Sequence, residues 1–127
     1  TPHGAVIAND NCPGQVVISG TAHSVERAGQ VAKERGAKRV VGLPVSGPFH
    51  SPLMSAALPE LAQAMDRVKF HNAQIPVVMN VTAQPEQEAF ALKQRLLDQL
   101  TGRVRWRESV LTLAGLGVTT AYELGVG

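Results

Sequence analysis

The residue in this chain best suited to chemistry is a histidine set between two prolines. His50 lies in the stretch Val45-Ser46-Gly47-Pro48-Phe49-His50-Ser51-Pro52-Leu53-Met54. An imidazole can take and return a proton near neutral pH, so it can serve first as general base and then as general acid. Pro48 and Pro52 restrict the backbone on either side, which limits how far the ring can wander. His3, His23 and His71 lack such a setting and read as surface residues. A base needs a nucleophile within hydrogen-bond reach. Ser46 and Ser51 are close in sequence, but the chain contains no Gly-x-Ser-x-Gly elbow. Ser51 reads instead as a cap for the helix that follows. Cys12 could act as a thiol nucleophile, although a small residue in a turn is the simpler reading.

Other polar residues are less specific. On helix physics alone Gln99 faces solvent, late in an amphipathic segment. Asn11 and Asn80 fall at the ends of predicted strands, where α/β folds place their sites and where turn-stabilising side chains are also common. Arg103, Arg105 and Arg107 alternate around Trp106 and read as a solvated face more readily than as an anion site. Lys33, Arg35, Lys38 and Arg39 form a denser basic group. It suits either solubility or the docking of an acidic partner.

These residues need elements to hold them. Residues 5–8, 15–19 and 39–43 read as strands, with turn formers over 9–14 and a helix over 23–35 closed by Gly36. After the His50 loop, Met54, Leu58, Leu61, Met65 and Val68 make one apolar stripe at helical spacing. Pro52 suits the first turn of that helix, and Pro59 predicts a kink or a late start. Residues 75–81 read as a buried strand. Phe90, Leu96, Leu97 and Leu100 mark a second amphipathic helix, and Trp106, Val110 and Leu113 a third, stopped by Gly115 and Gly117. Residues 119–124 read as a last strand. Helix and strand alternate after residue 46, which predicts an α/β fold with a parallel sheet and covering helices. The best internal boundary falls near residues 44–48. No internal repeat or low-complexity segment is present.

Composition narrows the function classes. The chain has 127 residues, 44% of them hydrophobic and 17% charged, enough for one domain with a core. A net charge of +2, no basic block and only one Trp, one Tyr and three Phe argue against a nucleic-acid partner. No apolar run approaches the roughly 20 residues that span a bilayer, so no membrane partner is expected. A single cysteine excludes an internal disulfide and suits a reducing, cytoplasmic setting. No Cys/His cluster has zinc spacing, and no metal is expected. The first residue is Thr1, with no secretory signal pattern after it, which suggests a fragment or a processed chain.

The stretch from Val45 to Met54 resembles the active-site histidine segment of malonyl-CoA:acyl carrier protein transacylases. Four further segments agree with that family in order and spacing. They are Asn11-Cys12-Pro13-Gly14-Gln15-Val16-Val17-Ile18, Pro76-Val77-Val78-Met79-Asn80-Val81, Gln99-Leu100 with Val104-Arg105-Trp106 and Ser109-Val110, and Tyr122-Glu123-Leu124-Gly125. The resemblance covers essentially the whole chain and points to the C-terminal portion of the family. It implies an α/β-hydrolase-like large subdomain over 46–127. It also implies a ferredoxin-like small subdomain over 1–45 that lacks its first strand and helix.

What the resemblance implies for individual residues is specific. His50 would activate a serine and later protonate the leaving thiol. The backbone carbonyl at Gln99 would orient the histidine in place of a triad acid. Phe49 would favour malonyl over a branched acyl group, a discrimination of about 1–3 kcal/mol. Asn11 and Asn80 would lie on the substrate side. Malonyl would pass from CoA to the serine and then to the phosphopantetheine thiol of acyl carrier protein, without a further cofactor. The family's serine elbow, oxyanion-hole segment and carboxylate-binding arginine would lie upstream of Thr1, so the chain alone is expected to be inactive. A thioesterase or other serine hydrolase on a related scaffold, and a non-catalytic carrier-protein-binding fragment, are the alternatives.

Overall fold

The computed structural model describes residues 4–125; His3, one of the expected surface histidines, lies outside them. The chain opens with a hairpin of β1 (Val6–Cys12) and β2 (Gln15–Ser19), paired antiparallel from Val6–Ser19 to Cys12–Gln15. Pro13 and Gly14 make the turn. Proline presets one φ, and Gly14 takes a φ of 84° that a side chain would disfavour. β1 therefore runs through residues expected to be turn, and Asn11 lies inside the strand. α1 (Ala22–Glu34) follows, its first turn closed by Thr21 Oγ1, which accepts from Ser24 N at 3.2 Å.

Residues 39–43 do not form the expected strand. Their β-branched character is real, but a strand needs a backbone partner, and none of the described residues supplies one. Val40 lies against α1, where a Cβ on Gly29 would come within 3.0 Å of it.

The helix after His50 is divided. Pro52–Ala57 winds as a 3-10 helix, and α2 (Leu58–Asp66) begins only there, with Pro59 in its first turn. This is the late start that Pro59 predicts. The expected strand over 75–81 shrinks to β3 (Val77–Met79), paired antiparallel with β4 (Gln84–Glu86). α3 (Ala89–Thr101) and α4 (Trp106–Gly115) complete the elements. Residues 119–124 take no strand pairing, which corrects the last expected strand.

The fold is α/β, but its described sheets are not parallel. Both are two-stranded antiparallel ladders, because tight turns join their strands. Among the described residues the one parallel contact is the bridge between Asn9 and Val104. There Val104 N donates to Ala8 O at 2.7 Å and Asp10 N donates to Val104 O at 2.9 Å. Arg105 N then donates to Asn80 O at 2.9 Å, so the link between α3 and α4 ties the first hairpin to the second. The buried residues are small or flexible, chiefly Ala5, Ala8, Met65, Met79, Ala83 and Ser109. Large apolar side chains such as Ile75, Phe90 and Tyr122 face solvent.

Candidate functional site

The site forms where the His50 loop meets the end of α3. His50 has a φ of 57°, the left-handed region that residues with a Cβ seldom enter. Its ring is half-buried, with Nδ1 3.0 Å from the backbone carbonyl oxygen of Gln99, 49 positions away.

That carbonyl is free for a local reason. The last carbonyls of a helix lose their intrahelical partners. Gly102 ends α3 with φ −90° and ψ 150°, which turns Arg103 N away from Gln99. Gly102 is also required sterically: a Cβ there would sit 2.7 Å from Asp98 O and 2.7 Å from Val81 Cγ2. The helix terminus carries partial negative charge, so it presents the ring with an acceptor resembling a weak anion.

The Gln99 side chain corrects the solvent-facing expectation. It is half-buried, and its Nε2 donates to Gly102 O at 2.9 Å. The same Nε2 lies 3.3 Å from His50 Nδ1. Two N–H groups cannot bond to each other. The shorter contact assigns the Nδ1 proton to Gln99 O and the amide proton to Gly102 O. Nε2 is then left as the basic nitrogen, and no described residue hydrogen-bonds to it.

Of the other expected site residues, Phe49 is adjacent by sequence and 43% exposed. Its ring folds back over Gly47, where a Cβ would meet it at 3.6 Å. Asn11 lies in β1 and Asn80 directly follows β3. Among the described residues no hydrogen bond links either asparagine to the His50–Gln99 pair, and Asn80 acts through its main-chain carbonyl. Ser51 does not cap the following helix: its hydroxyl makes no cap bond and donates to Pro48 O at 2.6 Å. Cys12 ends β1, exposed, with its thiol 3.6 Å from Gln15 Oε1.

Two of the three arginines in the run, Arg103 and Arg105, are occupied internally. Arg105 pairs with Glu108 and donates through Nη1 to Thr82 O at 2.9 Å, while Arg103 reaches Glu108 at 3.3 Å. The hydrogen bond from Arg105 holds the Glu108 carboxyl below its usual range, against desolvation and with help from the nearby positive charges. The same bond raises Arg105. Among the described residues no three His, Cys, Asp or Glu side chains cluster as metal ligands would, and no helix is long and apolar enough to cross a membrane. Sequence reasoning missed β4 and the buried Ala83 at φ 56°, which receives Thr112 Oγ1 on its carbonyl at 2.8 Å.

In sequence and fold, the chain is similar to several known proteins. No protein-family model matches the chain. It is 49% identical over 121 residues to the malonyl CoA-acyl carrier protein transacylase of Bacillus subtilis, covering 95% of this chain and 38% of that protein. The crystal structure of an acyl-carrier-protein S-malonyltransferase from Bartonella henselae superposes with a TM-score of 0.91 at 46% identity, covering 97% of this chain and 39% of that one. A malonyl-transacylase solved in complex with its type II polyketide synthase acyl-carrier protein gives a TM-score of 0.87 at 42% identity, over 93% of this chain and 38% of that one. These relatives are acyltransferases by name. Over nearly its whole length, this chain is similar to a segment of the malonyl CoA-acyl carrier protein transacylases. It spans about two fifths of the length of those relatives, which fits the C-terminal portion expected from its motifs.

Proposed function

We propose that this chain supplies the histidine half of a Ser–His dyad that moves malonyl from CoA to the phosphopantetheine thiol of acyl carrier protein, in fatty acid biosynthesis. The single observation that carries this reading is the 3.0 Å contact from His50 Nδ1 to the Gln99 carbonyl. It leaves Nε2 free to receive a proton. In the first half-reaction the serine oxygen bonds to the thioester carbon while its proton passes to Nε2. The C–S bond then breaks, and Nε2 returns that proton to the CoA sulfur. In the second half-reaction Nε2 takes the proton of the carrier thiol, whose sulfur attacks the acyl-serine, and the serine leaves with the proton. A proton on Nε2 creates a positive ring, which the carbonyl at the negative end of α3 faces directly.

Phe49 is proposed to shape the acyl pocket toward malonyl, and Asn11 and Asn80 to lie on the substrate side. The exposed basic residues Lys33, Arg35, Lys38 and Arg39 suit an acidic carrier protein. Residues 1–45 are assigned to the incomplete ferredoxin-like subdomain and 46–127 to the hydrolase-like one, with the Asn9–Val104 bridge crossing between them. No cofactor beyond the thioester donor and the carrier thiol enters the scheme, and the setting is cytoplasmic.

The test is His50→Ala in the full-length enzyme carrying this chain. Malonyl transfer is expected to fall by about 10²–10⁴-fold; near-normal turnover overturns the reading. Transfer to carrier protein should exceed hydrolysis in the parent enzyme, and the reverse order would identify a thioesterase. The 127-residue chain alone should form no malonyl-enzyme adduct.

A further inference from the structure

We propose that Ser51 is a positioning residue for His50, acting through a hydroxyl that closes the loop behind the imidazole. The inference rests on His50 being the base.

His50 sits in the left-handed region at φ 57°. For a residue with a Cβ this conformation is strained, and it persists only where its surroundings impose it. The structure shows what does so. Ser51 is 1% exposed, and its Oγ donates to Pro48 O at 2.6 Å, reaching back across His50. Ser51 is itself anchored. The following Pro52 favours an extended backbone at Ser51, and its φ of −133° and ψ of 160° comply. Met54 N donates to Ser51 O at 3.0 Å and starts the 3-10 turn. The hydroxyl therefore joins a fixed point after His50 to a fixed point before it. Ser51 itself is almost closed to water, so solvent does not readily take the place of its hydroxyl when that is lost.

Without the hydroxyl, Pro48 O loses its partner and His50 is free to relax toward negative φ. That swings the ring away from Gln99 O and moves Nε2 off the line of proton transfer. A displacement of about 1 Å at a reacting group can cost about 10²-fold in rate. The loss falls chiefly on kcat, because Ser51 holds no substrate group itself and the group it positions is the one that carries the proton.

The experiment compares Ser51→Ala, Ser51→Cys and His50→Ala in the full-length enzyme carrying this chain. It reads kcat and KM for malonyl transfer, and the downfield proton NMR signal of the His50 Nδ1–H. Ser51→Ala should lower kcat by about 10–100-fold with KM changed less than about twofold, and the downfield signal should be lost. Ser51→Cys keeps the side-chain shape with a weaker donor and should fall between. Ser51→Ala together with His50→Ala should be no slower than His50→Ala alone. Normal kcat and a retained signal in Ser51→Ala, with His50→Ala inactive, would overturn the role of Ser51 and leave the base intact. A near-normal His50→Ala would instead remove the base itself. If Ser51→Ala does not fold, Ser51→Cys decides: full activity with an unshifted signal refutes the proposal.

Discussion

Residues 39–43 and residues 48–51 lie a few positions apart, and neither segment forms a helix or a strand. The first has the stronger intrinsic preference, with Val40, Val41 and Leu43 in a strand-like run, yet all three remain exposed. The second has weak preferences and is held tightly. Pro52 constrains one side, Ser51 bonds back to Pro48, and Gln99 receives the ring. Propensity proposes a conformation, but only a partner for the backbone or the polar groups fixes it. The fixed segment has long-range partners among the described residues, whereas the strand-like one has only a local bond from Val45 N to Leu43 O at 2.9 Å and no partner strand.

That contrast can be broken at several points. The largest effect is expected at Gly102→Ala. The added Cβ would lie 2.7 Å from a backbone oxygen, so the end of α3 must move and carry the Gln99 carbonyl with it. Unfolding measurements on the full-length enzyme should show a loss of about 1–3 kcal/mol, with malonyl transfer falling alongside. Unchanged activity would mean that the end of α3 does not aim His50. Next comes Gln99→Ala, which keeps the carbonyl and removes only the amide that bonds to Gly102 O. The expected cost is about 0.5–1.5 kcal/mol, with kcat reduced only several-fold. A loss as deep as that of His50→Ala would assign the side chain a direct role. Val41→Ser should shift stability by no more than about 0.5 kcal/mol, because Val41 is 62% exposed. A larger loss in the full-length protein would show that this segment finds its partner there.

The smallest effect belongs to Glu108→Gln. Folding holds the Glu108 carboxyl below its usual range, so the unfolded chain binds that proton more readily. The stabilisation is complete above the ordinary carboxylate range and fades as pH falls through the folded value. Melting temperatures of wild type and Glu108→Gln should therefore differ slightly at neutral pH and converge in acid. The difference stays small because both partners are about a third exposed, at 34% and 35%. A gap that widens in acid would contradict the pairing.

Much of the fold was legible where the cause is local. Pro13-Gly14 announced the hairpin turn, Gly36 the end of α1, and Pro59 the delayed start of α2. Non-local choices were not legible. β4 contains Pro85 between polar residues and pairs only because the turn at residues 80–83 returns it to β3. The parallel sheet expected from alternating elements after residue 46 gave way to the single β3–β4 hairpin for the same reason. At the site, His50 stood out by its prolines. Its link to Gln99 was implied only by family resemblance, because nothing in a helix sequence marks which carbonyl will be free. Ser51 was misread because a serine before a helix looks the same whether it bonds forward as a cap or back across a turn.

The acceptor at Gln99 is an amide oxygen, and an amide oxygen does not titrate. A carboxylate in that place would be neutralised in acid and would release the ring as it did so. In the proposed dyad the ring is therefore held by a partner that carries no ionisable proton, and its anchor does not depend on acidity.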